Sequence, residues 1–240
     1  MENSEIKSII PTGTSNLAKT EKLLSITQKI LSEIKPQYES VKIGDQEWMT
    51  RNLDVDRFRN RDLIPHIESD KEWEEAGENC QPAWCYYNND PENGKEYGKL
   101  YNWFAINDPK GLIPEGYHVP SFSEWTSLVE ILGGEGFAGD KMKSIKGWED
   151  WIYEDGEILN GNGDNSSGFN ALPGGYRRGR GRFVYIRNLT FLWSMTENEI
   201  DNKFARSFRL NNLPYRMECG YTNKKFGASV RCLKDLSNLS

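Results

Sequence analysis

Ser-Gly-Phe-Asn-Ala-Leu-Pro-Gly-Gly-Tyr (167–176), Phe-Leu-Trp-Ser-Met-Thr-Glu (191–197) and Phe-Gly-Ala-Ser-Val-Arg-Cys (226–232) are the blocks that decide the fold. Between them lie Arg, Asn and Tyr in an order that no packing rule dictates. Fixed apolar and glycine anchors around unconstrained polar positions suit a stiff scaffold with a changeable face. The spacing predicts short strands at Phe183–Ile186, Phe191–Trp193, Phe204–Leu210 and Ala228–Leu233. The intervals hold Gly, Asn and Pro, as antiparallel turns do. In the last strand, period two places Ala228, Val230 and Cys232 on one face and Ser229 and Arg231 on the other.

Upstream, Val41–Met49 reads as a hairpin about a Gly44-Asp45 turn. Residues 68–80 read as a short exposed acidic helix, and Trp84–Tyr87 as a strand-like aromatic run. Tyr97, Leu100, Tyr101 and Phe104 keep i, i+3, i+4, i+7 spacing, which predicts a helix over 97–106. Ser121-Phe-Ser-Glu124 is a capping box, Trp125, Leu128, Val129 and Leu132 form an apolar stripe, and Gly133-Gly134 stops the helix. A short helical piece is expected near Lys141–Ile145. Leu23, Ile26, Ile30, Leu31 and Ile34 share one face of a predicted helix over 15–34, which either docks on a core or serves self-association. Pro36 ends it, so residues 1–36 are read as a tail and amphipathic helix, and 37–240 as one domain.

A chain of 240 residues with 28% charged residues and mean hydropathy −0.73 carries no apolar run of the roughly 20 residues a membrane span requires. No leader pattern opens the chain. Its default compartment is therefore the cytoplasm, unless it is exported by another route. Residues 176–232 hold nine Arg and three Lys against four acids, a net +8, which leaves −14 for the rest of a chain of net −6. Such a split marks an anionic partner or two halves that neutralise each other. Cys80, Cys85, Cys219 and Cys232 allow three pairings, and the sequence does not choose among them; without an export signal, free thiols are the default. Their spacing does not suit zinc.

The succession Val-Lys-Ile-Gly-Asp-Gln-Glu-Trp-Met-Thr-Arg-Asn-Leu (41–53), Tyr-Gly-Lys-Leu-Tyr-Asn-Trp-Phe-Ala (97–105), Pro-Glu-Gly-Tyr-His-Val-Pro-Ser (114–121), Gly-Phe-Asn-Ala-Leu-Pro-Gly-Gly-Tyr-Arg (168–177) and Ser-Val-Arg-Cys (229–232) resembles the Fibrobacter succinogenes major paralogous domain. The likeness runs from about Val41 to Asp235. It implies an α+β, C-type-lectin-like domain of the formylglycine-generating-enzyme branch. Such a domain has two helices, a sheet joining first and last strands, and a smaller sheet bearing the ligand face. Lectin-like relatives are also the usual variable targets of diversity-generating retroelements, and 177–221 resembles such a variable segment. Two departures stand out. Gln81-Pro82 is followed by Ala83 and Asn107-Asp108 lacks a preceding Trp, unlike the calcium-dependent sugar motif. Cys219 and Cys232 are thirteen positions apart, unlike the copper-binding pair of the oxidases.

The expected function is non-enzymatic recognition of a protein or an acidic glycan. The face would comprise Arg177, Arg180, Arg182, Tyr185, Arg187, Asn188, Arg206, Arg209, Asn211, Asn212, Tyr215 and Arg216, over Leu172, Pro173, Gly174, Gly175, Trp193 and Val230 as scaffold. Tyr supplies rigid contact area and Arg directional charge. The alternatives are a copper or thiol oxidase of the formylglycine type, and a structural module assembling through the 15–34 helix. His66 and His118 are the only imidazole bases, and neither sits in a hydrolase motif. No cofactor is expected, although the oxygens of Asn160–Asn165 invite a calcium reading that departs from the EF-hand spacing. Arg177–Arg182 is too short an Arg-Gly run to predict nucleic acid.

Overall fold

The computed structural model describes residues 22–23, 38–213 and 217–235. The helix expected over 15–34 lies outside these residues except at Lys22 and Leu23, and the described fold belongs to the unit Glu39–Ser240. That unit is mixed α+β.

A four-stranded sheet ties together the two ends of the domain. Its order is β1 (Ser40–Ile43), β2 (Gln46–Met49), β13 (Leu233–Lys234) and β5 (Tyr117–His118), all pairs antiparallel. The β1–β2 turn is the expected Gly44-Asp45 pair, with Gly44 at φ 60°. A second sheet has five strands in the order β12 (Met217–Asn223), β11 (Phe204–Asn211), β10 (Leu189–Glu197), β8 (Gly174–Arg177) and β9 (Phe183–Ile186). It is larger than expected and not wholly antiparallel, since β10 meets β8 in parallel at Thr190–Gly175. Two-stranded ribbons are formed by β3 (Trp84–Cys85) with β4 (Leu100–Tyr101), and by β6 (Trp151–Ile152) with β7 (Ile158–Leu159).

Where the resemblance implied two helices, the described part of the Glu39–Ser240 unit holds five α-helices: α1 (Asp70–Glu78), α2 (Pro91–Tyr97), α3 (Trp103–Ile106), α4 (Phe122–Ile131) and α5 (Glu135–Met142). Helix α4 starts on the predicted box. Ser121 Oγ accepts from Glu124 N–H, and Glu124 Oε2 accepts from Ser121 N–H at 2.8 Å. The continuous helix over 97–106 does not form. Gly98 takes φ 75°, Leu100-Tyr101 pairs with β3, and the Asn102 side chain caps a new turn by accepting from Ala105 N–H. The apolar spacing there reflects burial on two sides rather than one helical stripe.

The main core lies between α4 and the inner face of the five-stranded sheet. Trp125 packs against Trp48 at 4.7 Å between ring centroids and against Phe208 at 5.0 Å. Leu128, Phe169, Leu192, Leu210 and Met217 complete it. Each such side chain contributes about 1.5–3 kcal/mol of apolar burial. A second cluster gathers Trp73, Cys85, Tyr87 and Leu100 beneath Phe183 and Ile186.

The expected strand Ala228–Leu233 is mostly a buried connector. Ala228 bonds Tyr101, Ser229 bonds Phe191 and Trp193, Val230 O accepts from Leu53, and Cys232 O accepts from Met49. It is enclosed on both faces, so Arg231 does not point outward. Its guanidinium donates to the carbonyls of Met49 and Phe169 and to Asn52 Oδ1.

Candidate ligand face

Strand alternation sorts β11 and β12. Phe208, Leu210 and Met217 turn to the core, with Cys219 packed against it. Ser207, Arg209, Glu218 and Thr222 therefore face the other way. On that outer face Ser207 Oγ and Thr222 Oγ1 are 2.6 Å apart, and Arg209 Nε meets Glu218 Oε2 across the strands at 2.5 Å. Beside them runs an aromatic row. Tyr176 stacks on Phe226 (5.7 Å, 10°) and on Tyr185 (6.0 Å, 28°), and Phe191 stands edge-on to Tyr176 at 4.6 Å.

Two cavities open along this row. One of about 190 Å³ is lined by Phe191, Ser207, Arg209, Thr222, Asn223 and Phe226. The next, of about 380 Å³, shares Asn223 and Phe226 with it and adds Arg178, Arg180, Glu74 and Glu78. Together they form one trough, with Phe191 and Phe226 in its lining and charges of both signs on its rim. On the rim Arg180 lies 3.6 Å from Glu74 with its side chain 90% exposed. Lys225 donates to Glu78 at 2.7 Å, which holds that carboxyl below its usual range.

Of the residues expected on one face, Arg180 and Arg209 line the trough, Arg182 shares the β8–β9 turn with Arg180, and Tyr185, within β9, lines neither cavity. Tyr185 is 53% exposed and adopts φ 65°, left-handed backbone that a bulky residue rarely takes. Arg177 is a correction: it is fully buried. Its Nε donates to Gly181 O, Nη1 to Ile67 O, and Nη2 to Glu68 O and Asp70 Oδ1. The Trp73 and Phe183 rings lie 4.6 and 4.7 Å from the guanidinium carbon. With four of its five N–H groups bonded and its side chain wholly buried, it is not part of the outer face. Arg206 is on the opposite side of the sheet, against the rings of Phe122 (4.4 Å) and Tyr221 (4.0 Å).

Arg187, Asn188 and Asn212 gather at the far end of β9. Asn188 donates to Glu149 Oε2 at 3.0 Å and accepts from Asn212, which is buried, and Arg187 lies 3.6 Å from Glu149. Asn211 accepts from Leu213 N–H and so shapes the following turn. Tyr215 and Arg216 lie outside the described residues. Arg178, Lys225 and the aromatic row were missed. Tyr176 and Phe226 announced themselves only as members of apolar blocks, which gave no sign that their rings would meet.

The Asn160–Asn165 oxygens are engaged locally. Asn160 Oδ1 accepts from Asn162, Asn162 Oδ1 from Trp148 N–H, Asp164 Oδ1 from Ser166 N–H, and Asn165 Oδ1 from Asn170 N–H. A cation already serves the loop: buried Lys143 donates to Gly161 O at 2.9 Å and to Leu213 O at 3.2 Å. All four cysteines are free thiols; Cys85 and Cys232 are buried, Cys219 half-buried and Cys80 exposed. No described helix is long and apolar enough to cross a membrane.

A sequence profile described as the Fibrobacter succinogenes major domain matches residues 41–234. Neither the curated proteins nor the solved structures hold a significant match.

Proposed function

Because the chain belongs to the Fibrobacter succinogenes major domain family, whose activity is not defined, we propose a function from the trough itself: recognition of an acidic protein surface. The supporting observation is that Phe191 and Phe226 line the trough together with Arg178, Arg180 and Arg209, with Tyr176 stacked on Phe226. Stacked rings give rigid apolar area at low entropic cost, and arginines give bidentate pairing to carboxylates. In the lectin-like arrangement that the family resemblance implies, one sheet closes the termini and another carries the ligand. A segment of sequence that varies among siblings would then fall on the rim rather than on Arg177.

The thiols favour recognition over the oxidase reading. Burial pushes both Cys85 and Cys232 up to about 12, far from the reactive thiolate that such chemistry uses.

The test is a protein array and a glycan array probed with the wild type and with Arg178→Ala/Arg180→Ala and Arg209→Ala. Protein binding lost in both variants, at unchanged melting temperature, supports the reading. Signal on the glycan array alone moves the ligand to carbohydrate. Binding that survives both variants removes the trough from the account.

A further inference from the structure

The ribbon β6–β7 is the most exposed apolar element among the described residues, and nothing in the recognition reading uses it. Residues 151–158 are all exposed, Ile152 by 66% and Ile158 by 62%, with Trp151 and Tyr153 beside them. Its turn closes by Tyr153 N–H to Glu157 O and Gly156 N–H to Tyr153 O. A side chain at Gly156 would meet nothing within 4 Å, so the tip stands clear of the body. Glu154, Asp155 and Glu157 crowd that tip, and among the described residues none of them forms an ion pair. Four large apolar side chains held out beside three carboxylates are the surface of an interface.

The chain carries the complement. The trough is concave where the ribbon is convex, has Phe191 and Phe226 in its lining, and carries Arg178, Arg180 and Lys225 against Glu74 and Glu78 on its rim, one more cation than acid. The two features leave the five-stranded sheet in different places. The ribbon's root is held by Glu149 to Arg187, just past the end of β9, whereas Arg178 and Arg180 lie on the turn before β9. Four strand residues separate these ends by roughly 13 Å, which disfavours insertion of the ribbon into its own trough.

We propose that the β6–β7 ribbon of one copy seats in the trough of a second copy. This contact rests on the trough being a recognition face and names its occupant. Ile152 and Trp151 meet Phe226 and Phe191, and Glu154 and Glu157 meet Arg178 and Arg180, the latter in competition with Glu74. The contact is head-to-tail: each copy offers a ribbon and a trough, and the assembly grows until a ring closes or the chain ends. Its ionic half weakens with salt.

The experiment is sedimentation velocity on the full chain over a range of concentrations at low and high salt. The wild type is expected to gain mass with concentration and lose it with salt. Ile152→Ser/Glu154→Lys spoils the ribbon and Arg178→Glu/Arg180→Glu spoils the trough; both sets are at the surface, and unchanged melting confirms that each folds. Each variant alone is expected to stay monomeric. Mixed one to one, they should form a heterodimer through the single intact contact and grow no further. A wild type that stays monomeric at every concentration overturns the proposal, as does association that both variants retain. Loss of array binding in the trough variant with a monomeric wild type sinks this inference and spares the recognition reading. Self-association with empty arrays does the reverse.

Discussion

His118 Nδ1 lies 2.7 Å from Asp235 Oδ1, which joins β5 to the residue following β13. Its other nitrogen, Nε2, lies 2.9 Å from Glu124 Oε1, inside the capping box of α4. An imidazole with a carboxylate at each nitrogen donates to both only when protonated. Burial alone would lower the His118 pKa, but the hydrogen bonds to Asp235 and Glu124 outweigh it and the net shift is upward. Burial would likewise raise Glu124, yet the bonds from Ser121 and then His118 bring it below 4.5.

The sign of the pH effect follows. A raised histidine contributes stability in full below about pH 6.5, and that contribution is lost as pH climbs through the folded value. A lowered carboxyl contributes above about pH 4.5 and fails as pH falls through its folded value. Melting temperature should therefore be highest in mildly acid buffer and decline above neutrality. His118→Gln should flatten that alkaline decline and cost about 1 kcal/mol, a modest figure because the ring is partly exposed. An identical slope in wild type and variant would show that the pair has no part in it.

Arg177 should behave as a structural residue, not a ligand contact. Lysine keeps the charge but not the planar fork, so Arg177→Lys leaves the carbonyls of Ile67, Glu68 and Gly181 short of donors. The expected loss is about 3 kcal/mol in urea unfolding. A midpoint within error of the wild type would mean that these bonds are replaced.

This arginine also illustrates how far the sequence could be read. The capping box, the β1–β2 turn and the strands near 183, 191 and 204 follow from local rules, and they stand where those rules put them. Period two also separates Arg206 from Arg209, since an odd spacing in a strand means opposite faces. The face was legible there and was nonetheless drawn as one. Arg177 was not legible, because its partners come from Ile67, Glu68 and Asp70, more than a hundred residues away in sequence. The trough depends in the same way on Phe226 meeting Tyr176, and on α1 bringing Glu74 and Glu78 to the rim. No local pattern encodes those meetings.

The Asn-Gly-rich loop over 160–165 should prove to be a packing element. A Cβ at Gly161 would stand 1.9 Å from Glu149 O, and one at Gly163 would stand 2.3 Å from Asp140 O, both backbone atoms that cannot swing away. Gly161→Ala is expected to cost about 3 kcal/mol. Lys143→Met should cost a similar amount by leaving Gly161 O and Leu213 O without their donor. Added calcium should leave the melting temperature of the wild type where it was. A rise with calcium would restore the loop as a cation site.

Thiol reactivity distinguishes the recognition reading from the oxidase alternative at little experimental cost. Cys80 is exposed and should alkylate first. Cys219 is half-buried; burial raises its pKa against the opposing pull of Arg206, whose Nη1 lies 3.8 Å from the sulfur, so it should follow slowly. Cys85 and Cys232, both pushed to about 12, should remain unmodified until the chain unfolds. Iodoacetamide labelling followed by peptide mass spectrometry reads this order directly. Rapid modification of Cys232 in the native protein would require an opening of the 228–232 connector. That opening would break its bonds to Met49, Leu53 and Tyr101, so such a result would bring a thiol reaction centre back into contention.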